Sequence, residues 1–201
     1  MLARPTRTAV FVSGSGTNLQ ALIDARLPLV DIVLVFSNNP GAYAIERARK
    51  HGIPVRVLDH RRFPSRTLYD KEVMAILEEF GVDLVVLAGY MRILSPMFVR
   101  AYRNRIMNIH PSLLPSFPGV HGVRDALRYG VKYTGCTVHF IDEGVDTGPI
   151  IAQAVVAVRD DDTEESLHRR IQAEEHRLYP EAVRMFSEGK LRVHGRRVYT
   201  A

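Results

Sequence analysis

The sequence predicts a Rossmann-like α/β fold: a doubly wound, mostly parallel sheet with antiparallel strands at its edge. Three observations predict it. Short β-branched runs alternate with helical runs through the first 110 residues, a Gly-rich turn closes the first strand, and two long runs after residue 130 follow each other with only a turn between them. Strands that alternate with helices imply a parallel sheet with right-handed crossovers. Two consecutive runs joined by a turn imply an antiparallel pair.

The elements follow in order. The strand runs are TAVFV, DIVLVF, PVRVL, DLVVLAG and RIMNIH, each bounded by Gly, Pro or polar turns. Between them NLQALIDAR, AYAIERARKHG and TLYDKEVMAILEEFG read as helices. In the last, Leu68, Val73, Ile76, Leu77 and Phe80 are expected on one side, with Gly81 as the stop. Ser95 followed by Pro96 reads as the cap and first turn of a helix over MFVRAY. KYTGCTVHFI and PIIAQAVVAV are the two edge strands. The segment from Asp162 to Phe186 is a long helix that Pro180 should kink or break, and KLRVHGRRVYT reads as a small hairpin. No repeat, linker or low-complexity tract interrupts the chain, so residues 1–201 are expected to form one domain.

Composition narrows the class. Of 201 residues 46% are hydrophobic and 24% charged, the range of ordinary globular proteins. No window approaches the length of a membrane span and the N-terminus has no secretory run, so neither membrane attachment nor export is expected. The single cysteine, Cys136, rules out an internal disulfide and suits a reducing cytoplasm. The net charge of +5 is dispersed among acids and forms no nucleic-acid footprint.

Two stretches carry chemistry. In VFVSGSGTNLQAL, glycines stand between a strand and a helix, where backbone N–H groups and the helix dipole favour an anion. Leu19 occupies the place of the third glycine of a dinucleotide fingerprint, no acid ends the next strand, and the Walker lysine is missing. A site for one phosphate monoester and a plain tight turn both remain open. In MNIHPSLLPSFPG, Asn108 and His110 leave the same face of a strand, and Pro111, Pro115 and Pro118 restrict the loop behind them. Asp142, Glu143 and Asp146 lie in a later Gly-rich turn, either as turn formers or, for Asp146, within reach of His110 if the preceding strand lies beside RIMNIH. A carboxylate there would favour an imidazolium, with Asn108 as a second donor to the same oxyanion. Cys136 sits inside an alternating strand and no serine stands on a nucleophile elbow. An oxyanion donor pair without a nucleophile suits direct transfer between two substrates. The spacing of His110, His121 and His139 matches no common zinc pattern, so no metal is expected.

SGSGTNLQALIDA, VFSNNPGAYAIERA, LAGYMRILSP, MNIHPSLLPSFPG and GCTVHFIDEGVDTGPII resemble the glycinamide ribonucleotide formyltransferase family of purine biosynthesis, in the same order and over nearly the whole chain. The Asn-x-His-Pro-Ser-Leu-Leu-Pro loop with its later Asp is shared by folate-dependent formyltransferases at large; the Gly-rich turn narrows the acceptor to a phosphorylated one. The resemblance implies the formyltransferase fold and transfer of a formyl group from 10-formyltetrahydrofolate to the amine of phosphoribosylglycinamide. It implies catalytic roles for Asn108, His110 and Asp146. It places the substrate phosphate on Gly14, Ser15, Gly16, Thr17 and Asn18, and the ribose or glycinamide end on Glu175. It lines the folate pocket with Met91, Arg92, Ile93, Leu94, Asn108, Asp142, Glu143, Gly144, Val145 and Asp146, with Arg66 on the rim. Ordinary core is an equal reading of Ile93 and Leu94 taken singly, and solvated charge is the other reading of Arg66. Two departures, Thr17 where Ser is common and the loop HGVRDA, leave this chemistry untouched.

The resemblance also implies small-molecule partners only, a monomer or homodimer, and a cytoplasmic enzyme. Rival expectations are a formyltetrahydrofolate hydrolase, which adds an N-terminal regulatory domain, and a methionyl-tRNA formyltransferase, which adds a C-terminal RNA-binding domain. Neither extra domain has room here. A non-catalytic nucleotide-sensing module would keep the Gly14 turn without needing Asn108, His110 and Asp146 together.

Overall fold

A computed structural model describes residues 4–201, and its contacts divide the chain into two compact units, Met1–Met107 and Asn108–Ala201. In the first unit β1 (Thr6–Val12), β2 (Val30–Ser37), β3 (Val55–Val57), β4 (Leu84–Leu87) and the start of β5 (Ile106–His110) run in the order β3-β2-β1-β4-β5. β1 pairs in parallel with β2 and with β4, and β2 with β3. The chain winds outward from β1 to β3 and then returns to the other side of β1. The boundary between β1 and β4 is therefore a topological switch point, where the carboxyl ends of two strands flank a crevice. The helices are α1 (Thr17–Asp24), α2 (Ala44–Lys50), α3 (Arg66–Glu79) and α4 (Pro96–Ala101), with a 3₁₀ turn at His60–Arg62.

Ala9–Val12 and Leu84–Leu87 are buried along their whole length, the pattern of parallel strands covered on both faces. Phe11 anchors this core, with ring centroids 4.8 Å from Phe36, 5.2 Å from Tyr90 and 6.2 Å from Phe98. Removing such side chains from water is worth roughly 1.5–3 kcal/mol each. Ser95 caps α4 as expected, its Oγ accepting from the Phe98 N–H with Pro96 in the first turn. The face of α3 keeps the expected Val73 and Leu77, with Ile76 and Phe80 half-buried, and departs from the expectation at Leu68. Its buried stripe is Tyr69, Val73 and Leu77, spaced by four, and Leu68 is exposed. Tyr69 takes the buried place instead, its hydroxyl donating to the Leu58 carbonyl at 3.0 Å.

In the second unit the end of β5 is followed by β6 (Tyr133–Phe140), β7 (Ile150–Ala157), β9 (Arg197–Thr200) and β8 (Leu191–His194) in spatial order. β6 and β7 are antiparallel, as expected, and the C-terminal residues form the expected hairpin, β8 against β9. β9 joins β7 in parallel through Ile150 and Arg197. α5 (Gly122–Tyr129), stopped by Gly130 in the left-handed region, is an element the sequence reading left as loop. α6 (Glu164–Ser187) opens on a capping box between Thr163 and Ser166. It runs without interruption through Pro180, so the expected break does not occur. Leu178, Tyr179, Pro180, Ala182 and Val183 are all buried, so packing on both sides of the proline holds the segment helical. Among the described residues no helix is long and apolar enough to cross a membrane.

Candidate active site

Two candidate segments of the first unit stand at its switch point. The Gly-rich turn leaves β1, and Met91–Leu94 follows β4. Ser13 joins them: its Oγ accepts from the Met91 N–H at 2.9 Å and donates to Asn38 Oδ1 at 2.5 Å. The turn needs one of its glycines for shape. Gly16 has φ 73°, and a Cβ there would lie 2.5 Å from the Ala44 Cβ. A Cβ on Gly14 would meet nothing within 4 Å, so that position opens to solvent. Thr17 and Asn18 begin α1, with Asn18 buried.

Met91 and Ile93 are exposed, whereas Leu94 is core. Two exposed apolar side chains on one short loop make a wall that core packing does not account for. Between them Arg92 stacks over the Tyr69 ring, 4.8 Å from its centroid. Arg66 is exposed at the first position of α3. That is the positive end of the helix dipole, where a cation gains nothing for stability.

In the second unit the strand preceding Asp146, β6, does neighbour β5, and Asn108, His110 and Asp146 come together. His110 is buried. Its Nε2 lies 2.8 Å from the Phe117 carbonyl, an acceptor only, so Nε2 carries a proton. Its Nδ1 lies 3.4 Å from Asp146 Oδ2. Both ring nitrogens thus face oxygen acceptors, Nε2 a carbonyl within hydrogen-bonding distance and Nδ1 a carboxylate just beyond it. Asp146 Oδ2 also accepts from the Gly119 N–H at 2.7 Å, which ties the carboxylate to the proline-rich loop. Phe117 and Asp146 have φ values of 51° and 54°. Two non-glycine residues in the left-handed region, both touching His110, concentrate backbone strain of about 1–3 kcal/mol each at this ring.

The sequence reading missed the part played by His139. Its ring is fully buried, and burial pushes its pKa below the ordinary value near 6.5, against the opposing pull of the Phe140 carbonyl and Asp146. Nδ1 donates to the Phe140 carbonyl at 2.9 Å, which leaves Nε2 as an acceptor for the Asn108 amide at 3.3 Å. Nε2 is also 3.7 Å from Asp146 Oδ1. That separation looks like an ion pair, but in a dry site the neutral ring prevails and the contact joins two lone pairs. His139 therefore orients the amide of Asn108, with one Nδ2–H directed to the ring.

The loop behind His110 is held by more than its prolines. Thr137 Oγ1, on β6, donates to the Ser112 carbonyl at 2.7 Å and accepts from the Leu114 N–H at 3.0 Å. Gln153 on β7 donates to both Thr137 Oγ1 and the Leu114 carbonyl. Gly122 leaves room beside the ring, since a Cβ there would stand 3.2 Å from His110 Nε2. None of these carried a motif; only pairing of β6 and β7 with the loop reveals them.

The acids of the later turn separate by task. Asp142 Oδ1 accepts from the Gly144 N–H at 3.0 Å and from Thr147 Oγ1 at 2.6 Å, so it shapes the turn. Glu143, Gly144 and Val145 are exposed beside it. The tip is braced from the C-terminal hairpin, where Arg196 donates to the Thr147 carbonyl at 2.9 Å. Glu175 is buried on α6 near Cys136. Burial and that neighbouring carboxylate push the Cys136 thiol up to about 12, so it is no nucleophile near neutral pH. Among the described residues no three His, Cys, Asp or Glu side chains are grouped to hold a metal ion.

A donor amide, an imidazole beside a carboxylate and no nucleophile can stabilise an oxyanion and move protons. Relatives with this architecture include formyl-transferring proteins. The chain matches the formyl transferase family over residues 6–183. It is 45% identical over 92% of its length to the phosphoribosylglycinamide formyltransferase of Escherichia coli K12, covering 89% of that protein. It is 51% identical over 92% of its length to the trifunctional purine biosynthetic protein adenosine-3 of Drosophila melanogaster, but spans only 14% of that longer protein. The crystal structure of glycinamide ribonucleotide transformylase 1 from Symbiobacterium toebii superposes with a TM-score of 0.95 at 51% identity, over 98% of this chain and 94% of that one. The chain belongs to the formyl transferase family.

Proposed function

We propose that this enzyme transfers the formyl group of 10-formyltetrahydrofolate to the amine of phosphoribosylglycinamide, directly and without a covalent enzyme intermediate. The observation that carries the reading is the grouping of Asn108, His110 and Asp146 with no activated nucleophile near them. The amine attacks the formyl carbon, its C=O becomes a C–O⁻, and the bond to the folate N10 breaks as the carbonyl reforms. The amine's proton ends on N10. The other Nδ2–H of Asn108 donates to the developing oxyanion and a charged His110 stabilises it across a dry site. Asp146 balances that charge and relays the proton. The turn from Gly14 to Asn18 takes the phosphate, and Glu175 takes the ribose or glycinamide end. Met91, Arg92, Ile93 and Leu94, with Asp142 to Asp146 and the rim residue Arg66, receive the folate.

The reading treats residues 1–201 as a single formyltransferase domain, in a cytoplasmic monomer or homodimer with small-molecule partners and no catalytic metal. Its test is an assay with both substrates. Formylated ribonucleotide should form in step with loss of formyltetrahydrofolate, and omission of the ribonucleotide should stop both. Formate release without the acceptor would mark a hydrolase instead, and no reaction at all a binding module.

A further inference from the structure

The Gly-rich turn lacks the lysine of a Walker-type loop, and its own residues do not fix the direction of its peptides. The explanation lies in α2. Three successive turn residues are each held by that helix. The Gly14 carbonyl accepts from the Ala44 N–H at 3.0 Å. The Ser15 carbonyl accepts from Arg47 Nε at 2.8 Å. Gly16 closes on the Ala44 side chain, with no room for a Cβ. Arg47 is itself fixed, with Nη1 3.3 Å from Gln20 Oε1 and its guanidinium 5.0 Å from the centre of the Tyr43 ring.

A trans peptide sets its N–H opposite its carbonyl. With the carbonyls of Gly14 and Ser15 drawn to α2, the N–H groups of Ser15 and Gly16 face the other way. Neither N–H donates to any acceptor among the described residues, although Gly16 is buried. Adjacent amide donors that the protein itself does not satisfy form a concave anion site.

We propose that Arg47 is a positioning residue for the phosphate: it holds the Ser15 carbonyl so that the Ser15 and Gly16 amides present themselves together to the ribonucleotide. This rests on the phosphate role given to the turn above. Arg47 supplies the cation that the turn's own sequence lacks, and supplies it behind the peptide. A lysine, with one compact ammonium and no fork, cannot span Ser15 and Gln20 in the same way.

The test uses ¹⁵N-labelled whole protein titrated with phosphoribosylglycinamide and, separately, inorganic phosphate. In the unaltered protein the Ser15 and Gly16 amide signals should move most. If they do not move, the phosphate reading of the turn falls, and the inference with it. In Arg47→Ala and Arg47→Lys the same two signals should already be displaced without ligand. Ribonucleotide affinity should drop about tenfold in both, the scale of one well-placed hydrogen bond to an anion. The folate dissociation constant and kcat should be nearly unchanged. Ribonucleotide affinity that survives Arg47→Ala, while the unaltered protein shows the expected shifts, overturns the inference alone. Full rescue by lysine would reduce Arg47 to a bare charge and overturn it as well. Should Arg47→Ala misfold, Arg47→Lys and Arg47→Gln carry the same comparison.

Discussion

Asp146 is where a single atom matters most. Asp146→Asn keeps the shape but removes the charge facing His110 Nδ1. Turnover should fall by at least about 10²-fold, the scale of losing one oxyanion donor, with little change in either substrate's affinity. His110→Ala should lose as much, and the double variant should not multiply the losses, because groups acting as a unit are non-additive. Steady-state kinetics of the three variants decide it; clean multiplication would mean that the two side chains work independently. His139 gives a pH signature. Its folded pKa lies below the unfolded value near 6.5, so on acidification the unfolded chain takes a proton that the folded one refuses. That contribution to stability is present above about pH 6.5 and is lost as the pH falls from there toward the lowered folded value. The midpoint of thermal unfolding should therefore drop more steeply between pH 7.5 and 5.5 in the unaltered protein than in His139→Gln. Equal slopes would mean that the ring is not held neutral. The two glycines of the turn should also part. Gly16→Ala, strained at φ 73° and pressed on Ala44, should unfold earlier. Gly14→Val should fold normally and raise KM for the ribonucleotide far more than for the folate; an equal rise for both would remove the turn from phosphate binding.

Elements differ in how plainly the chain declares them. β1, β2, β4 and β5 were legible because buried parallel strands are short, β-branched and punctuated. α5 was not, since GVRDALRY is too short and too charged to outweigh the loop signals before it. Pro180 misled for a related reason: a proline's local cost is certain, but the packing of Leu178, Tyr179, Ala182 and Val183 around it is a tertiary fact. Packing of this kind is worth several kcal/mol against about 3 for the proline. Pro180→Ala should accordingly leave the helical circular dichroism intact and shift thermal unfolding only slightly. A large gain in helicity would show that the segment is broken in solution. Asn108 and His110 were legible as polar residues on a buried strand, and Asp146 as an acid in the later Gly-rich turn. His139 was not, because a histidine inside an alternating strand reads as core until its neighbour is known.

Across the whole molecule, local devices repeat one plan: a carbonyl or amide is turned by a neighbour so that a donor is offered at the end of a strand. Arg47 does so for the Gly-rich turn after β1, and His139 does so for Asn108 on β5. Such preorganisation favours a reaction in which the enzyme contributes fixed dipoles and charge rather than a bond of its own. The most direct measurement follows from this. Enzyme in excess is mixed with 10-formyltetrahydrofolate carrying a ¹⁴C-labelled formyl group, with and without phosphoribosylglycinamide, and quenched over the first turnover. With the acceptor, the label should pass from folate to ribonucleotide at one rate, with none on the protein at any time; without it, the label should stay on the folate. Label retained on denatured protein, or released as formate in the absence of acceptor, would contradict direct transfer.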